Sequence, residues 1–578
     1  MQIVRLKLLS DFRSLKKGFE MTFATNFVQD QIISPTCIVG KNGSGKSNLL
    51  ELICEMFFYL DSLLLEFPSD NLLSKKRFGF EIEYQLDLSL FDSIREWLDP
   101  TMKWSKNFVK VRVIKKINEK PEYSLIDLEG KPLFLKMAED TIRELHLKQK
   151  HLLPKQIIGY SSGLNELISN PFTKMQFHYF HEYQARLTAD ILDSFEDGRL
   201  LYMNYESNAA ILIANLLLQE EKVLDVLEDE IGLSALDSFR ITVEIGNTVE
   251  INSDSNDNKG IADITDFFRK EIEYLGQLCT TQTIIETEDT LSSQIKKTLV
   301  FDYKVTKATI EGFRHFFGNS ENFYKFLHRL NLINIHKIPV ENREKIRNAI
   351  RGQSISNLLP KVAAEDLIFK IDNIILKKRN SADKIFYSRL SDGEHQFVHI
   401  IGTYMILNDS KSLFILDEPE THLNPKWRSK LVSTLNKIEV ASQAIREMSN
   451  LPKKYTSSEM FLSTHSPFIL SDSSNSKVWK FNISNNIAIA HPVKFKTFGA
   501  SFSILLDEVL EKEESISEMS NKYISEIRIA ASNIVLSDEN AKYAIEELKQ
   551  KVLALGESPE KFELFSFLTS LSRSTLES

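Results

Sequence analysis

The chain has 578 residues, of which 42% are apolar and 26% charged, which is typical of a globular protein with a large core and two or three domains. Its net charge of -9 does not favour a protein that coats duplex nucleic acid, because such proteins are usually basic. Cys37, Cys54 and Cys279 lack the spacing of a metal site or disulfide framework, and the most apolar stretches are too short to span a bilayer, so we expect a cytoplasmic protein.

The first 169 residues read mostly as β-strands. Residues 1–8 alternate apolar and polar side chains, without the apolar run of a signal peptide, and residues 36–39 form a short β-rich run. Residues 48–65 follow with an apolar face at helical spacing. Further strand-like runs lie at residues 78–86, 108–114 and 157–160.

Between residues 170 and 370 the spacing of apolar residues is mostly helical, and no sustained heptad pattern predicts a coiled-coil arm. Helical runs lie at 185–192, 209–227, 263–278 and 307–332, with a strand at 240–244 and a polar loop at 252–259. Strand character returns at 367–376, 412–416 and 460–463. The predicted domains are an N-terminal lobe at 1–169, a mostly helical insertion at 170–370, a second lobe at 371–500 and C-terminal helices at 501–578.

Residues 40–47 read Gly-Lys-Asn-Gly-Ser-Gly-Lys-Ser, which fits the phosphate-loop pattern between a predicted strand and a predicted helix. Backbone N–H groups of such a loop, and the N-terminus of the helix that follows, attract phosphate. Lys46 is predicted to reach the β- and γ-phosphates of ATP, and the Ser47 hydroxyl to bind Mg²⁺. The candidate ATP-contacting residues are Gly40, Asn42, Gly43, Ser44, Gly45, Lys46, Ser47 and Asn48.

A second motif is an apolar strand at residues 412–416 that ends in two carboxylates, Asp417 and Glu418. Asp417 is placed to hold Mg²⁺ through water, and Glu418 to act as the base that polarises the attacking water. An acidic pair after a strand is common by itself. Its combination with the phosphate loop predicts a site for ATP hydrolysis.

Residues 390–396, Leu-Ser-Asp-Gly-Glu-His-Gln, resemble the LSGGQ signature of ABC ATPases, with Asp for the first Gly and Glu for the Gln. In that family the helix that begins here contacts the γ-phosphate held by the opposite subunit. The resemblance makes Ser391, Gly393 and Glu394 candidate ATP-contacting residues. His465, just past an apolar strand, resembles the family's switch histidine, whose imidazole bonds the γ-phosphate.

These four motifs occur in the order of the ABC family. Lys46 and Asp417 lie 371 residues apart (417 minus 46), so an insertion must lie between the lobes. The predicted fold is an α/β P-loop NTPase of the ABC/SMC-RecF head type, with a large, mostly helical insertion and a helical C-terminal region. We expect an ATPase that uses Glu418, Lys46 and His465 in catalysis, binds Mg²⁺ through Ser47 and Asp417, and needs a second copy to complete its site.

Residues 418–425, Glu-Pro-Glu-Thr-His-Leu-Asn-Pro, together with residues 391–396 and 497–501, resemble the restriction-associated PtuA-type ATPases of Septu and retron-linked anti-phage systems. The resemblance implies an oligomer that acts with an HNH nuclease, PtuB, and holds this nuclease until phage is sensed. Retron-linked members also associate with a reverse transcriptase and its RNA–DNA product. Asn424 departs from transporter heads, which carry Asp there, so transporter-style coupling of two sites is not implied.

Two other functions stay open. A DNA-repair or chromosome-organising ATPase of the RecF type would act directly on DNA through a basic surface. A self-contained nuclease would need metal-binding carboxylates, but no Asp-x-Asp pair follows His465 and no Cys-x-x-Cys pair occurs. We therefore expect any nuclease to be a separate chain. The helices after residue 501 either dock that chain or cover the head's own core.

Two sequence features keep alternative interpretations. Phe12-Arg13-Ser14 resembles the F-R motif of DNA-repair and overcoming-lysogenization-defect ATPases, in which a basic residue lies near the nucleotide. The alternative is that these three residues are an ordinary strand end. The glutamine with which ABC heads sense Mg²⁺ is not evident, because Gln156 precedes the strand at 157–160 instead of following it. The turn at 160–163 either takes that place or is a simple turn.

Overall fold

The structure is a computed structural model of the chain. It describes residues 1–23, 34–68, 78–87, 108–126, 132–133, 149–163, 165–189, 191, 197–251, 260–288, 295–379, 384–409, 411–449, 458–510, 517–534 and 540–577. The polar loop predicted at 252–259 lies outside these residues. The chain divides into two compact units, Met1–Phe502 and Ser503–Ser578.

The described residues form the following strands and helices. The strands are β1 Gln2–Leu8, β2 Glu20–Thr22, β3 Thr36–Gly40, β4 Phe80–Asp87, β5 Phe108–Lys115, β6 Glu122–Ile126, β7 Pro132–Leu133, β8 Gln156–Ser161, β9 Leu200–Tyr202, β10 Leu233–Ile245, β11 Thr248–Ile251, β12 Gly260–Asp263, β13 Thr281–Glu288, β14 Ile295–Lys304, β15 Phe369–Lys378, β16 Lys384–Phe386, β17 Ser412–Asp417, β18 Glu459–Ser463, β19 Val478–Ser484 and β20 Ile487–Pro492. The helices are α1 Lys46–Ser62, α2 Glu166–Thr188, α3 Tyr205–Leu218, α4 Glu221–Ile231, α5 Arg269–Leu278, α6 Lys307–Phe317, α7 Ser320–Leu332, α8 Val340–Arg347, α9 Asp392–Leu407, α10 Pro425–Met448, α11 Pro467–Ser471, α12 Phe502–Ile504, α13 Glu518–Ser532, α14 Ala541–Leu553 and α15 Pro559–Glu577.

A seven-stranded sheet in the first unit has the order β20-β19-β3-β18-β17-β8-β9. All neighbouring strands in it are parallel except β19 and β20. β3, β17 and β18 are buried along their whole length, as expected for apolar runs covered on both faces of a parallel sheet. Since parallel strands end at the same edge, the loops after β3, β8, β17 and β18 meet there.

A six-stranded antiparallel sheet, ordered β2-β1-β4-β5-β6-β7, is built from the N-terminal part of the chain. Along β5 every second residue is buried, which is the pattern of a strand with one face in the core. Leu6 and Ile82 of this sheet share one hydrophobic core with Phe57 of α1 and Phe461 of β18. This core holds α1, and with it the loop before α1, between the two sheets.

The predicted insertion at 170–370 contains helices as expected, but it also contains more strand than the sequence predicts. β10, β13 and β14 join β15 and β16 in a five-stranded antiparallel sheet ordered β13-β14-β10-β15-β16. Of these inserted strands the sequence indicates only residues 240–244 of β10. The sequence of β13 does not predict a strand because residues 281–287 are exposed on both faces. A strand without a buried face lacks the alternation of apolar and polar residues that would indicate it.

One inserted strand belongs to the seven-stranded sheet. β9 lies within the range 170–370, yet it pairs with β8 in parallel. The parallel sheet therefore draws on residues from the predicted insertion as well as from both predicted lobes. The predicted domain boundaries stay predictions.

The second unit is helical. Within Ser503–Ser578, α13, α14 and α15 form a core of their own around Ile527, Val552 and Leu564. Helices here agree with the composition of the chain after residue 501. Among the described residues we find no helix whose length and apolar character would suit it to crossing a membrane.

Candidate functional site

The loop at residues 40–47 joins the buried strand β3 to helix α1. Gly40 has φ 144° and Gly45 has φ 102°, both in the region that favours glycine. A Cβ on Gly40 would lie 2.3 Å from the carbonyl oxygen of Phe481, and one on Gly45 would lie 2.8 Å from the Cβ of Ala488. Glycine is required at both positions because strands β19 and β20 leave no room for a side chain.

Lys46 opens α1 and its side chain is almost fully buried, at 7% exposure. The Nζ atom donates hydrogen bonds to the carbonyl oxygens of Gly40, at 2.8 Å, and Lys41, at 3.2 Å. Burial lowers the pKa of Lys46, and the nearby carboxylates of Glu418 and Asp417 oppose this effect. The ammonium group is therefore held inside the loop and within electrostatic reach of the acidic pair.

The other residues of the loop differ in their exposure to solvent. Lys41, Asn42 and Gly43 are exposed, Ser44 and Gly45 are buried, and Ser47 lies half-buried in the first turn of α1. The Asn48 side chain contacts the N-terminal turn, where its Nδ2 donates a hydrogen bond to Ser14 Oγ at 2.6 Å. This bond ties α1 to the N-terminal turn.

Arg13, in the Phe12-Arg13-Ser14 turn, is paired with α1. Its guanidinium donates to both carboxylate oxygens of Glu51, at 2.5 and 2.9 Å, and Glu51 is buried. Arg351 stacks on the Phe12 ring at 4.3 Å. These contacts give Arg13 a structural partner next to the phosphate loop, while a role toward nucleotide stays a prediction.

Asp417 ends β17 at the sheet edge where the phosphate loop also lies. Its Oδ1 accepts a hydrogen bond from Ser463 Oγ at 2.5 Å, and its Oδ2 accepts one from Asn165 Nδ2 at 2.6 Å. Ser463 ends the neighbouring strand β18. Both carboxylate oxygens are thus oriented by donors from the loops on either side.

Glu418 follows Asp417 in a left-handed backbone conformation, with φ 49°. Such a conformation costs a non-glycine residue about 1–3 kcal/mol and is often found at functional sites. The Glu418 N–H donates to Ser463 Oγ at 3.1 Å and to the Ser463 carbonyl oxygen at 3.2 Å, which holds this conformation. The carboxylate Oε1 lies 3.6 Å from Nε2 of His465, so the structure brings these two predicted catalytic side chains together.

Glu420 is a buried residue that the sequence patterns do not single out. At 4% exposure, its Oε1 accepts hydrogen bonds from the Thr464 hydroxyl and from the His465 N–H. Burial raises the pKa of Glu420. Its carboxyl group links the loop after Glu418 to the loop that carries His465, and a second acid two residues after Glu418 is the signal that could have indicated it.

Asn165 is the other residue that the sequence patterns miss. It lies four residues past the end of β8, where its Oδ1 caps α2 by accepting from Leu167 N at 3.2 Å and its Nδ2 reaches Asp417. Gln156, at the start of β8, is buried, and its Nε2 donates to Glu321 instead. An amide at the end of a strand that neighbours β17 is the signal that could have identified Asn165.

Replacing Asn165 with serine should raise the Mg²⁺ concentration needed for half-maximal ATP turnover by about 10- to 100-fold, because it removes a donor that orients a candidate metal-binding carboxylate. Serine keeps the oxygen that caps α2, so the fold should be retained. Turnover is measured against Mg²⁺ concentration, with Asn170→Ser on the same helix as control. An unchanged Mg²⁺ dependence would remove Asn165 from the site.

The residues present fit Mg²⁺ bound together with a triphosphate. No group of three or more His, Cys, Asp or Glu side chains among the described residues is placed to hold a metal by itself. Mg²⁺ commonly uses one carboxylate or hydroxyl from the protein together with phosphate oxygens and water. Asp417 is oriented by Ser463 and Asn165, and Ser47 lies in the first turn of α1, so these two residues could share such an ion.

The segment at 390–396 forms the N-terminus of α9. Ser391 and Glu394 build a capping box, in which Ser391 Oγ accepts from Glu394 N at 3.3 Å and Glu394 Oε2 accepts from Ser391 N at 2.8 Å. Glu394 also pairs with Lys378 at 2.9 Å. A Cβ on Gly393 would lie 3.2 Å from the His422 carbonyl oxygen. Glycine therefore lets α9 pack closely on the loop that follows Glu418.

The structure connects α9 to the acidic loop but not directly to the phosphate loop. Gln396 Nε2 donates to the Pro419 carbonyl oxygen at 2.6 Å, while Ser391 is exposed and bonds to Glu394. Lys46, Asp417, Glu418, His465 and Asn165 thus lie at one edge of the parallel sheet. Ser391, Gly393 and Glu394 lie beside the loop after Glu418, and Ser391 faces solvent.

Comparison with known families matches residues 282–471 to the family described as "AAA domain, putative AbiEii toxin, Type IV TA system". The match supports a P-loop ATPase of the AAA type. It covers about one third of the chain and includes α9, the Asp417–Glu418 pair and His465, while the phosphate loop lies before it. A domain of this family implies nucleotide hydrolysis and is consistent with the use of ATP and Mg²⁺.

Proposed function

We propose that this chain is the ATP-binding and ATP-hydrolysing regulatory subunit of a bacterial anti-phage defence complex, and that it controls a separate HNH nuclease through ATP-dependent pairing of two heads of the ABC type. One observation supports the ATPase part above all others. Five side chains from four separate loops converge at the carboxyl edge of one parallel sheet, namely those of Lys46, Asp417, Glu418, His465 and Asn165.

The geometry supports distinct roles for these side chains. Lys46, held inside the loop by two carbonyl oxygens, stabilises the charge of the β- and γ-phosphates. Ser47, and Asp417 through water, would hold Mg²⁺, which would supply further positive charge beside the phosphates. Glu418, fixed by Ser463, orients and polarises the attacking water. His465, positioned by Glu420 through its N–H, donates toward the γ-phosphate.

Two exposed half-sites of the chain support the proposed head pairing. Asn42 and Gly43 on the phosphate loop, and Ser391 and Asp392 at the start of α9, are all exposed. Helix N-termini attract phosphate, so the α9 N-terminus of a second copy completes the site around ATP. Because ATP then contacts both heads, it binds the paired state more tightly and shifts the population toward it.

The nuclease partner and the defence role rest on the resemblance of residues 418–425 and 391–396 to PtuA-type ATPases and on the toxin-associated family that the chain matches. On this proposal the protein acts in the cytoplasm with an HNH subunit of the PtuB kind. In a retron-linked system it also binds the reverse transcriptase and its RNA–DNA product. The RecF-type alternative would require binding to DNA without a partner.

A mixing experiment tests head pairing. Lys46→Ala and Ser391→Arg should each abolish turnover, whereas their mixture should recover about one quarter of wild-type activity, because half of the random dimers regain one intact site of two. ATP hydrolysis is measured in the mixture and in the separate variants. The control mixture pairs Lys46→Ala with the double variant Lys46→Ala/Ser391→Arg, which cannot rebuild any site.

No recovery in the first mixture would show that Lys46 and Ser391 do not meet across protomers. A separate duplex-binding assay on the wild-type protein alone addresses the DNA-repair alternative. Tight binding that weakens steeply with salt would favour that alternative over the regulatory role.

A further inference from the structure

β13 is an unusual edge strand. It spans eight residues, Thr281–Glu288, and forms one end of the five-stranded sheet, where its one partner in the described part of the chain is β14. Residues 281–287 are all exposed, and they include Ile284 at 55% and Ile285 at 48% exposure. The outer backbone edge of β13 therefore presents N–H and C=O groups next to two exposed apolar side chains.

The opposite edge of the same sheet, formed by β16, is less suited to pairing with a further strand. β16 has only three residues and begins with Lys384, and short strands that carry lysine resist the addition of a further strand. β13 has no lysine, arginine or proline, and its pairing with β14 runs through eight residue pairs in one register. The sheet thus has one protected edge and one that is open to another strand.

A cavity of about 610 Å³ lies beside β13, which is within the size range of ligand pockets. Gln282 of β13 lines it together with Leu299 and Phe301 of β14 and Ile272 and Gly276 of α5. A strand added to β13 would lie next to this cavity. Strand-addition sites in other proteins obtain affinity from the backbone and specificity from such a pocket.

The charge of the cavity indicates which side chain suits it. Among the described residues that line the cavity, the acids are Asp263, Asp266 and Glu273 and the cation is Arg269. Arg269 is already paired with Asp266 at 2.5 Å. Asp263 accepts hydrogen bonds from Gly246 and Thr265, so Glu273 is the carboxylate that faces an incoming cation. An apolar wall with this carboxylate beside it fits a side chain that has a long apolar stem and a positive end, as lysine and arginine have.

A second copy of β13 supplies no such side chain. The strand reads Thr-Gln-Thr-Ile-Ile-Glu-Thr-Glu, which contains two acids and no cation. A self-paired β13 would bring no positive charge to the acidic cavity. The charge pattern therefore favours a different protein as the occupant.

We propose that β13 is a docking strand for an extended segment of another protein, which adds to the sheet as a further antiparallel or parallel strand and places a lysine or arginine in the cavity beside α5. The cavity and the open edge are separate observations that point to the same kind of ligand. The docking does not depend on the nucleotide site, so the inference goes beyond the proposed ATPase function.

The test uses a fluorescently labelled peptide, Thr-Val-Thr-Lys-Thr-Val-Thr, and a matched peptide with glutamate in place of lysine. Fluorescence anisotropy with the full chain should give binding of the lysine peptide that is at least about tenfold tighter, because like charges are disfavoured at the acidic cavity. Hydrogen exchange should show slower exchange of the amides in β13 when the lysine peptide is present. A lysine peptide with alternate amides N-methylated should bind about tenfold more weakly, because it cannot complete the ladder.

Substitutions in the cavity provide the matched controls. Gly276→Leu should fill the cavity and weaken binding of the lysine peptide, whereas Gly276→Ala should not, since a Cβ there meets its nearest neighbours at 3.4 Å. Glu273→Gln should weaken binding, and Glu271→Gln on the same helix, outside the cavity lining, should leave it unchanged.

Three results would overturn the proposal. The lysine and glutamate peptides could bind equally or not at all, exchange in β13 could be unchanged, or the chain alone could self-associate through β13 with loss of that association in Ile284→Lys. Peptide binding and hydrogen exchange are measured without ATP turnover as a readout, so these results are distinguishable from a failure of the ATPase proposal.

Discussion

Glu418→Gln should lower ATP turnover by about 10²- to 10⁴-fold, the usual contribution of a general base, while ATP stays bound. Glutamine has nearly the same shape as glutamate but cannot accept the proton of the attacking water. The backbone conformation at Glu418 is held by hydrogen bonds from its N–H to Ser463, and glutamine keeps the side-chain oxygen that accepts from the Thr421 hydroxyl, so the loop should keep its form. The variant should therefore accumulate as an ATP-bound closed dimer.

Two measurements check this expectation. Steady-state phosphate release reports turnover, and size-exclusion chromatography with and without ATP and Mg²⁺ reports the dimer. Glu447→Gln, an exposed residue near the end of α10, is the matched control and should behave as wild type. Normal turnover by Glu418→Gln would exclude this residue as the base.

Lys46→Ala should weaken ATP binding by about a hundredfold or more, since each hydrogen bond from a charged group contributes about 1.5–3 kcal/mol. The ammonium group is buried in the loop and bonded to two carbonyl oxygens, so the alanine variant loses the positive charge that the loop holds at this point. If pairing of the heads depends on ATP as proposed, the variant should also stay in the open state in the presence of ATP.

The measurement is titration with a fluorescent ATP analogue, and Lys41→Ala, an exposed lysine of the same loop, is the matched control. With the proposed HNH subunit added, nuclease activity in the presence of the Lys46→Ala protein should no longer respond to ATP. Binding of the analogue with wild-type affinity would contradict the role of the loop. Retained ATP control over the nuclease would instead contradict the regulatory proposal.

Much of the candidate site is predictable because its motifs are local. The glycine-rich loop needs eight consecutive residues between a strand and a helix, and the acidic pair needs only an apolar strand before it. The structure has the strand, loop and helix where the sequence predicts them. The capping box of α9, with Ser391 and Glu394, likewise depends on residues three apart.

Asn165 and Glu420 show where prediction from local patterns stops. Asn165 is 252 positions from Asp417, and Glu420 is 44 positions from Thr464. Their roles come from the order of strands β8, β17 and β18 in the sheet. A second acid after Glu418, or an amide after a strand, is a local signal for a candidate residue, but only the folded chain shows which partner that residue contacts.

The sequence does not predict the strand β13, or its open edge, for a different reason. Its residues are exposed on both faces, so hydrophobic alternation, the main signal for a strand, is missing. Pairing with β14 determines the strand instead. The cavity beside it also joins residues of β12, α5, β13 and β14, which no local pattern brings together.

The sequence alone determined the local motifs from which the chemistry is predicted, because a phosphate loop, an acidic strand end and a helix cap are each made by residues close together in the chain. The tertiary structure decided which of these groups meet, which additional side chains orient them and which sheet edge is left open. The physical reason is that such contacts depend on strand order and packing over hundreds of residues, and these follow from the burial of the whole core and not from any short segment.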